Sequence, residues 1–305
     1  MEPKSATKLI AIAGGKGGVG KTVCTANLAM GVARHHRTLA VDMDLGCGNL
    51  NACLGVRLPQ HNINEFLADS SIPLSRVKLK TPLDSLELIS CSYQGAKAIS
   101  LDSEKRQRLL NSLRDGVVEY AFLDLGAGIS TDILDLFAAA DMKIVVTSPE
   151  SLALHNAFVF MKSVVYRALQ MEFEGGYFTP PVRQKMFELL NSDPEMDIPR
   201  IIEKFRAWSR YAAYIVQGLL SDLKVHVIFN MVDGSGDMRY EKNLYRLARK
   251  YLQVDLISLG FVPYDRRVKA SVNKIVPLLL EYRRSAAAKA FEKISASIED
   301  TFSGN

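Results

Sequence analysis

Cysteine is scarce in this 305-residue chain: Cys24, Cys47, Cys53 and Cys91 form no CxxC pair and have no histidine at zinc-ligand spacing. That argues against a disulfide framework and a structural zinc site. Scattered cysteines in a chain of this size read as small buried hydrophobes of a reducing cytosol. Long apolar runs are missing as well. No uncharged stretch reaches the ~18 residues a membrane-crossing helix needs. The opening Met1-Glu-Pro-Lys-Ser-Ala-Thr-Lys8 leads into a short apolar run ending in glycines, without the long hydrophobic region of a signal peptide. Repeats, low-complexity tracts and linkers are also lacking, so residues 1–305 read as one domain. Neither sign of charge dominates. The net charge of +5 permits contact with phosphates or anionic lipid without demanding it.

What is present is an alternation. Short apolar runs at 9–13, 39–41, 86–89, 120–123, 144–146, 225–229 and 256–259 alternate with helix-length patterns such as 22–33, 103–114 and 239–251. Runs apolar on both faces are buried strands, and strand alternating with helix implies crossovers. The expected fold is α/β, a doubly wound and mostly parallel sheet. Between the strands at 144–146 and 225–229 lies more chain than one crossover helix needs. Three helical pieces are expected there, over 151–171, 181–190 and about 197–220, making residues 166–222 a helical insertion within the domain. Ile202, Phe205, Trp208, Ala212, Ile215 and Leu219 recur at helical spacing in the third. The insertion either packs on the main domain or offers a platform to a partner.

The chemistry begins at Gly15-Lys-Gly-Gly-Val-Gly-Lys-Thr22, which matches G-x-x-x-x-G-K-[ST] after an apolar strand and before an amphipathic run. In such a loop, backbone N–H groups turn inward around phosphate oxygens at a helix N-terminus. Gly15, Lys16, Gly17, Gly18, Val19, Gly20, Lys21, Thr22 and Val23 form the candidate cradle. Lys21 would reach the β- and γ-phosphates, and the Thr22 hydroxyl would ligate Mg²⁺. Lys16 is a second lysine in a loop that needs one. It is either a further cation for the phosphates or a solvent-facing residue.

The string Gly14-Gly-Lys-Gly-Gly-Val-Gly-Lys-Thr22 resembles the deviant Walker A loop of the MinD/ParA superfamily of ATPases. That resemblance implies a P-loop NTPase fold of the SIMIBI type, ATP and Mg²⁺ as cofactors, and an ATP-dependent homodimer in which Lys16 crosses to the partner subunit's nucleotide. Asp42-Met-Asp44-Leu-Gly-Cys-Gly-Asn-Leu50 is similar to the superfamily's switch I segment, and Asp124-Leu-Gly-Ala-Gly-Ile-Ser130 to its Walker B and switch II segment. By position, Asp44 would orient the attacking water, while Asp42 and Asp124 would lie in the Mg²⁺ shell. Asp42 could instead cap the next turn. Asn230 resembles the base-contacting asparagine, and Pro263 and Asp265 the loop over the adenine. As isolated features, these last are also ordinary turn chemistry.

The resemblance covers residues 8–150 and 223–300, and its switch segments are most similar to the flagellar-number regulators FlhG and FleN. It implies a switch that hydrolyses ATP to ADP and phosphate, stimulated by a protein partner, in spatial or numerical control of an assembly. Two alternatives stay open: a partitioning ATPase that binds DNA non-specifically, and a metabolic or scaffold ATPase coupling hydrolysis to ligand transfer. The cluster-bearing and CxxC-bearing relatives are not expected because their cysteines are missing, nor are the glutaminase-bearing ones, for which no length remains. For DNA the candidate surface is Arg239, Lys242, Arg246, Arg249 and Lys250, opposite Leu244, Leu247 and Tyr251. Membrane contact is the less favoured expectation, because the C-terminal pattern Phe291, Ile294, Ile298 and Phe302 is flanked by Glu292, Glu299 and Asp300. The expected location is cytoplasmic, with a peripheral position at membrane or nucleoid left open.

Overall fold

The computed structural model describes residues 6–45, 48–91, 101–115, 117–175, 178–192, 196–234 and 238–304. Cys47 and part of the switch I segment therefore lie outside the described residues. The strands are β1 (Lys8–Ala13), β2 (Thr38–Met43), β3 (Leu79–Lys80), β4 (Leu86–Ile89), β5 (Tyr120–Leu125), β6 (Met142–Thr147), β7 (Val225–Val232) and β8 (Leu256–Pro263). They form one sheet in the order β3-β4-β2-β5-β1-β6-β7-β8. Every described pairing is parallel except β3 with β4. The sequence reading misses β3, whose two residues carry no periodicity.

Of the apolar runs, β1, β2 and β5 are almost wholly buried, as strands covered on both faces must be. One face is covered by α1 (Lys21–Val32) and α13 (Ala286–Ser303), with Phe291, Ile294 and Ile298 buried against it. The apolar stripe of the C-terminal helix is thus occupied by its own domain. The other face is covered by α3 (Ile63–Ala68), α4 (Ser103–Leu113), α5 (Thr131–Ala139), α6 (Ser151–Glu174) and the helices after it.

The segment expected to be an insertion, residues 166–222, contains the end of α6 with α7 (Pro180–Ser192), α8 (Ile198–Trp208) and α9 (Arg210–Asp222). Its core is one with the sheet face: Leu169, Phe173, Leu190, Ile201, Phe205 and Val216 belong to the same buried cluster as Leu123 and Val145. Polar ties add direction. Buried Asp135 on α5 receives Arg167 Nε at 2.6 Å and Arg106 Nη2 at 2.9 Å, so the charge is paired as burial requires.

The third helical piece is corrected. It is two helices, because Ser209 adopts φ −153° and ψ 109° and its hydroxyl accepts from Ala212 N at 3.2 Å. A serine that caps a new helix ends the old one. The break changes phase, so Trp208 is exposed while Phe205 and Ala212 are buried. The basic helix is shorter than expected too: α10 spans Met238–Leu247 and passes into a π turn at Ala248–Leu252. Two short helices, α2 (Leu50–Cys53) and α12 (Leu278–Glu281), and the nine-residue α11 (Arg266–Lys274) complete the chain. Cys24, Cys53 and Cys91 are buried and form no disulfide among the described residues, and burial pushes the Cys53 thiol up to about 12.

Candidate nucleotide site

The sheet fixes where chemistry can occur. β1 lies between β5 and β6, and from it the chain crosses to β2 on the far side of β5. Ligands in open α/β sheets bind at the carboxyl ends of strands where the winding changes direction. The glycine loop leaves β1 there and enters α1.

Backbone geometry explains why this loop is made of glycine. Gly20, the N-cap of α1, has φ 88°, and a Cβ on it would stand 2.2 Å from Asn230 Nδ2. At Gly15 a Cβ would stand 1.9 Å from the Asn156 carbonyl oxygen on α6. Over Gly17 and Gly18 an added Cβ meets nothing within 4 Å, so the loop is packed from below and open above. No acidic residue occupies the first turn of α1, which leaves its positive end for an anion.

Beneath the loop, Lys21 is 8% exposed and donates through Nζ to the Lys16 carbonyl oxygen at 3.3 Å. Desolvation holds its ammonium below the usual lysine range, against the pull of Asp124 and Asp44. Among the described residues Lys16 takes part through that backbone oxygen, and its side chain is exposed on the rim. Val19 is buried, and Val23 packs partly buried beside it. The strand-end carboxylates meet as the sequence reading expects. Asp42 and Asp124 are register partners on β2 and β5, and both are buried.

Asp42 accepts from Asp44 N at 3.1 Å and from Leu50 N at 3.2 Å, so it caps the following turn as well as facing the site. Burial, then the neighbouring Asp124, pushes its carboxyl well up. The Asp124 carboxyl rises to about 6, chiefly through burial, opposed by the Thr22 and Thr25 hydroxyls and by Lys21. Asp44 stands at the rim, where a Cβ on Gly126 would be 3.5 Å from its Oδ1. Two buried carboxylates with one desolvated lysine are short of positive charge. A divalent cation fits that deficit, and Thr22, Asp42 and Asp124 are the residues that would hold it.

Thr25 was missed. It donates to Asp124 Oδ1 at 2.9 Å and lies 3.0 Å from the Lys21 carbonyl oxygen. Its signal was the helical spacing that puts residues three and four apart on one face, here Thr22 or Lys21 with Thr25.

On the other flank the assignments separate. Asn230 is buried and donates to the Val19 carbonyl oxygen at 2.9 Å, so it latches the loop to β7. Asp265 caps α11 by accepting from Arg267 N at 2.9 Å and reaches Ala287 N at 3.4 Å. Pro263 ends β8 beside Val232.

Comparison with known proteins closes the question of family. Residues 10–278 match the CbiA family, described as the CobQ/CobB/MinD/ParA nucleotide binding domain. The chain belongs to this family. The septum site-determining protein MinD of Synechocystis sp. is 27% identical over 295 residues, 96% of this chain and 89% of that one. The flagellum site-determining protein YlxH of Helicobacter pylori is 30% identical over 168 residues, 53% of this chain and 55% of the other. Among solved structures, MinD from Pyrococcus horikoshii complexed with Mg-ADP superposes with a TM-score of 0.67 at 20% identity, covering 97% of each chain. The matched domain is a nucleotide-binding one, and this P-loop is that of a MinD/ParA-family ATPase.

Proposed function

We propose that this MinD/ParA ATPase is a dimerising switch, hydrolysing ATP to ADP and phosphate until a protein partner accelerates it, and that it sets the place or number of a cellular assembly. The observation that carries this reading is the rim of the site. Lys16 is exposed there, while Lys21 already serves from below. After the carboxyl ends of other strands come exposed apolar side chains: Ile129 after β5, Leu152 after β6, Met238 after β7 and Tyr264 after β8. Apolar groups gathered at one end of a sheet, beside an unspent cation, suit a second copy facing the nucleotide.

In that role the chain's residues divide the work. The loop N–H groups and Lys21 hold the phosphates, and Lys16 of the opposite subunit supplies charge as the γ-phosphate leaves. Thr22, Asp42 and Asp124 would hold Mg²⁺, which when bound would offset phosphate charge and favour the ionised carboxylates. Asp44 orients the attacking water. Asn230 holds the loop while Pro263 and Asp265 frame the base, and Gly128, at φ 108°, lets switch II rearrange when phosphate departs.

The test is light scattering of Asp44→Ala with Mg-ATP, with and without Lys16→Ala. A dimer that is lost with Lys16 is the expected result. A monomer in both, with ATP bound, would remove the switch reading.

The partitioning alternative rests on exposed Arg239 and Lys242. The basic stripe is split, however. Arg246 hydrogen-bonds Asn243 at 3.3 Å and lines a cavity of about 560 Å³ with Phe158, Tyr240 and Tyr251, while Arg249 lies in the π turn 3.8 Å from Asp255. Salt-sensitive retention of random duplex DNA by the ATP form would favour partitioning.

A further inference from the structure

A line of aromatic rings runs through the insertion and reaches the surface at both ends. Trp208 meets Phe205 with centroids 6.0 Å apart, Phe205 meets Phe173 at 5.4 Å, Phe173 meets Phe178 at 5.7 Å, and Phe178 meets Tyr211 at 5.9 Å. The three phenylalanines are buried, whereas Trp208 is 43%, Tyr211 54% and Tyr214 71% exposed. Tyr211 and Tyr214 are three apart on α9, so they share a face next to the turn that carries Trp208. Buried rings beneath Trp208 and Tyr211 hold them in fixed positions without a partner. The ordering cost that binding usually exacts is therefore already met.

Charge around these rings is mostly positive. Residues 198–214 contain Arg200, Lys204, Arg206 and Arg210 against the single acid Glu203. Lys185 of α7 adds its ammonium 5.2 Å from the Trp208 ring centre. Arg200 is shared with Asp197, but among the described residues Lys204, Arg206 and Arg210 have no acidic partner. None of this helps the core, where Trp208 could be apolar and smaller, and none of it touches the nucleotide site. Tryptophan, tyrosine and arginine on a rigid base are the residue types that carry binding energy at protein interfaces.

We propose that the α8–α9 turn is a docking site for an acidic protein segment with apolar anchor residues. The anchors pack against Trp208, Tyr211 and Tyr214, and carboxylates pair with Lys204, Arg206 and Arg210. Protein is the occupant because the rings are pre-set by packing and the unpaired cations surround them, a surface for satisfied contacts at fixed positions. The proposal is independent of the dimerising-switch reading.

Trp208 is the only tryptophan in the chain, so its emission reports this surface alone. The experiment selects short random peptides on the immobilised full-length protein, with counter-selection on a Tyr211→Ala, Tyr214→Ala, Arg206→Glu, Arg210→Glu variant whose Mg-ATP binding confirms its fold. Enriched peptides should be acidic with aromatic or leucine anchors, should shift Trp208 emission to the blue, and should bind the variant at least about ten-fold more weakly. Affinity should fall as salt rises.

Enrichment without acidic residues, or no enrichment over the variant, would overturn the proposal. So would a blue shift produced by phosphatidylglycerol vesicles or single-stranded DNA but by none of the selected peptides.

Discussion

The phosphate end of the sheet and the outer helices of the insertion are built on opposite economies of charge. At the phosphate end, charged groups are drawn inside: Asp42, Asp124 and Lys21 are all buried, and each carboxyl is pushed up and the ammonium down by lost solvation. In the insertion, rings are pushed outward, with Trp208, Tyr211 and Tyr214 exposed over a buried aromatic line. A polar group kept in a core and an aromatic kept in water both cost stability, and each marks a place where folding is not the only demand. The difference is in how each is held. The phosphate end depends on close backbone approach, the insertion on side-chain packing.

The largest effect that should separate the two is Phe205→Ala. Phe205 is fully buried between Phe173 and Trp208, and its truncation should lower unfolding free energy by about 4 kcal/mol in denaturant melts. Mg-ATP affinity should hardly change. An equal loss of affinity would mean that the two regions are one cooperative device. Next is Gly15→Ala, whose methyl would meet the Asn156 carbonyl. Calorimetric titration should show Mg-ATP affinity reduced by about 100-fold, roughly 3 kcal/mol, with a smaller change in melting.

Asp124→Asn should act in the reverse direction on stability. An aspartate raised from 3.8 to about 6 on folding binds its proton more tightly when folded. Its contribution is complete below the unfolded value and is lost as pH rises through about 6. The amide escapes that loss. The nucleotide-free variant should therefore be more stable than the parent at pH 8 by about 3 kcal/mol, the gap closing as pH falls toward 4, while turnover is lost. Thermal melts across that range decide the sign. The smallest effect is Ser209→Ala, which removes the cap of α9. About 1 kcal/mol should be lost, and Trp208 emission should broaden as the turn loosens.

Much of this was legible in the residues. Seven of the strands stand where short apolar runs stand, because a strand covered on both faces has no polar side to show. The placement of the glycine loop, Lys21, Thr22, Asp42 and Asp124 was legible because their pattern is local: a loop, a strand end and a helix start, each within a few residues. Less was legible where a residue's duty depends on a distant partner. Thr25 serves Asp124, 99 positions away, and Asn230 serves Val19, 211 positions away. The break at Ser209 was hidden because the apolar spacing on either side mimics one continuous helix. Asp265 shows the limit of a short motif, since the residue expected over the base is the one that caps α11.

By itself the sequence determined the kind of sheet, the end of it that carries phosphate chemistry, and the family. Strand burial and phosphate cradling are written in short, contiguous patterns. Only the tertiary structure decided that Asp42 and Asp124 face each other in register and that the C-terminal helix is folded down on α1. It also decided that Lys16 stands outside while Lys21 stands within, and that the insertion's aromatic line opens at the surface. These follow from which elements pack together and how each is turned. Contacts across hundreds of residues set those arrangements, and no local pattern encodes them.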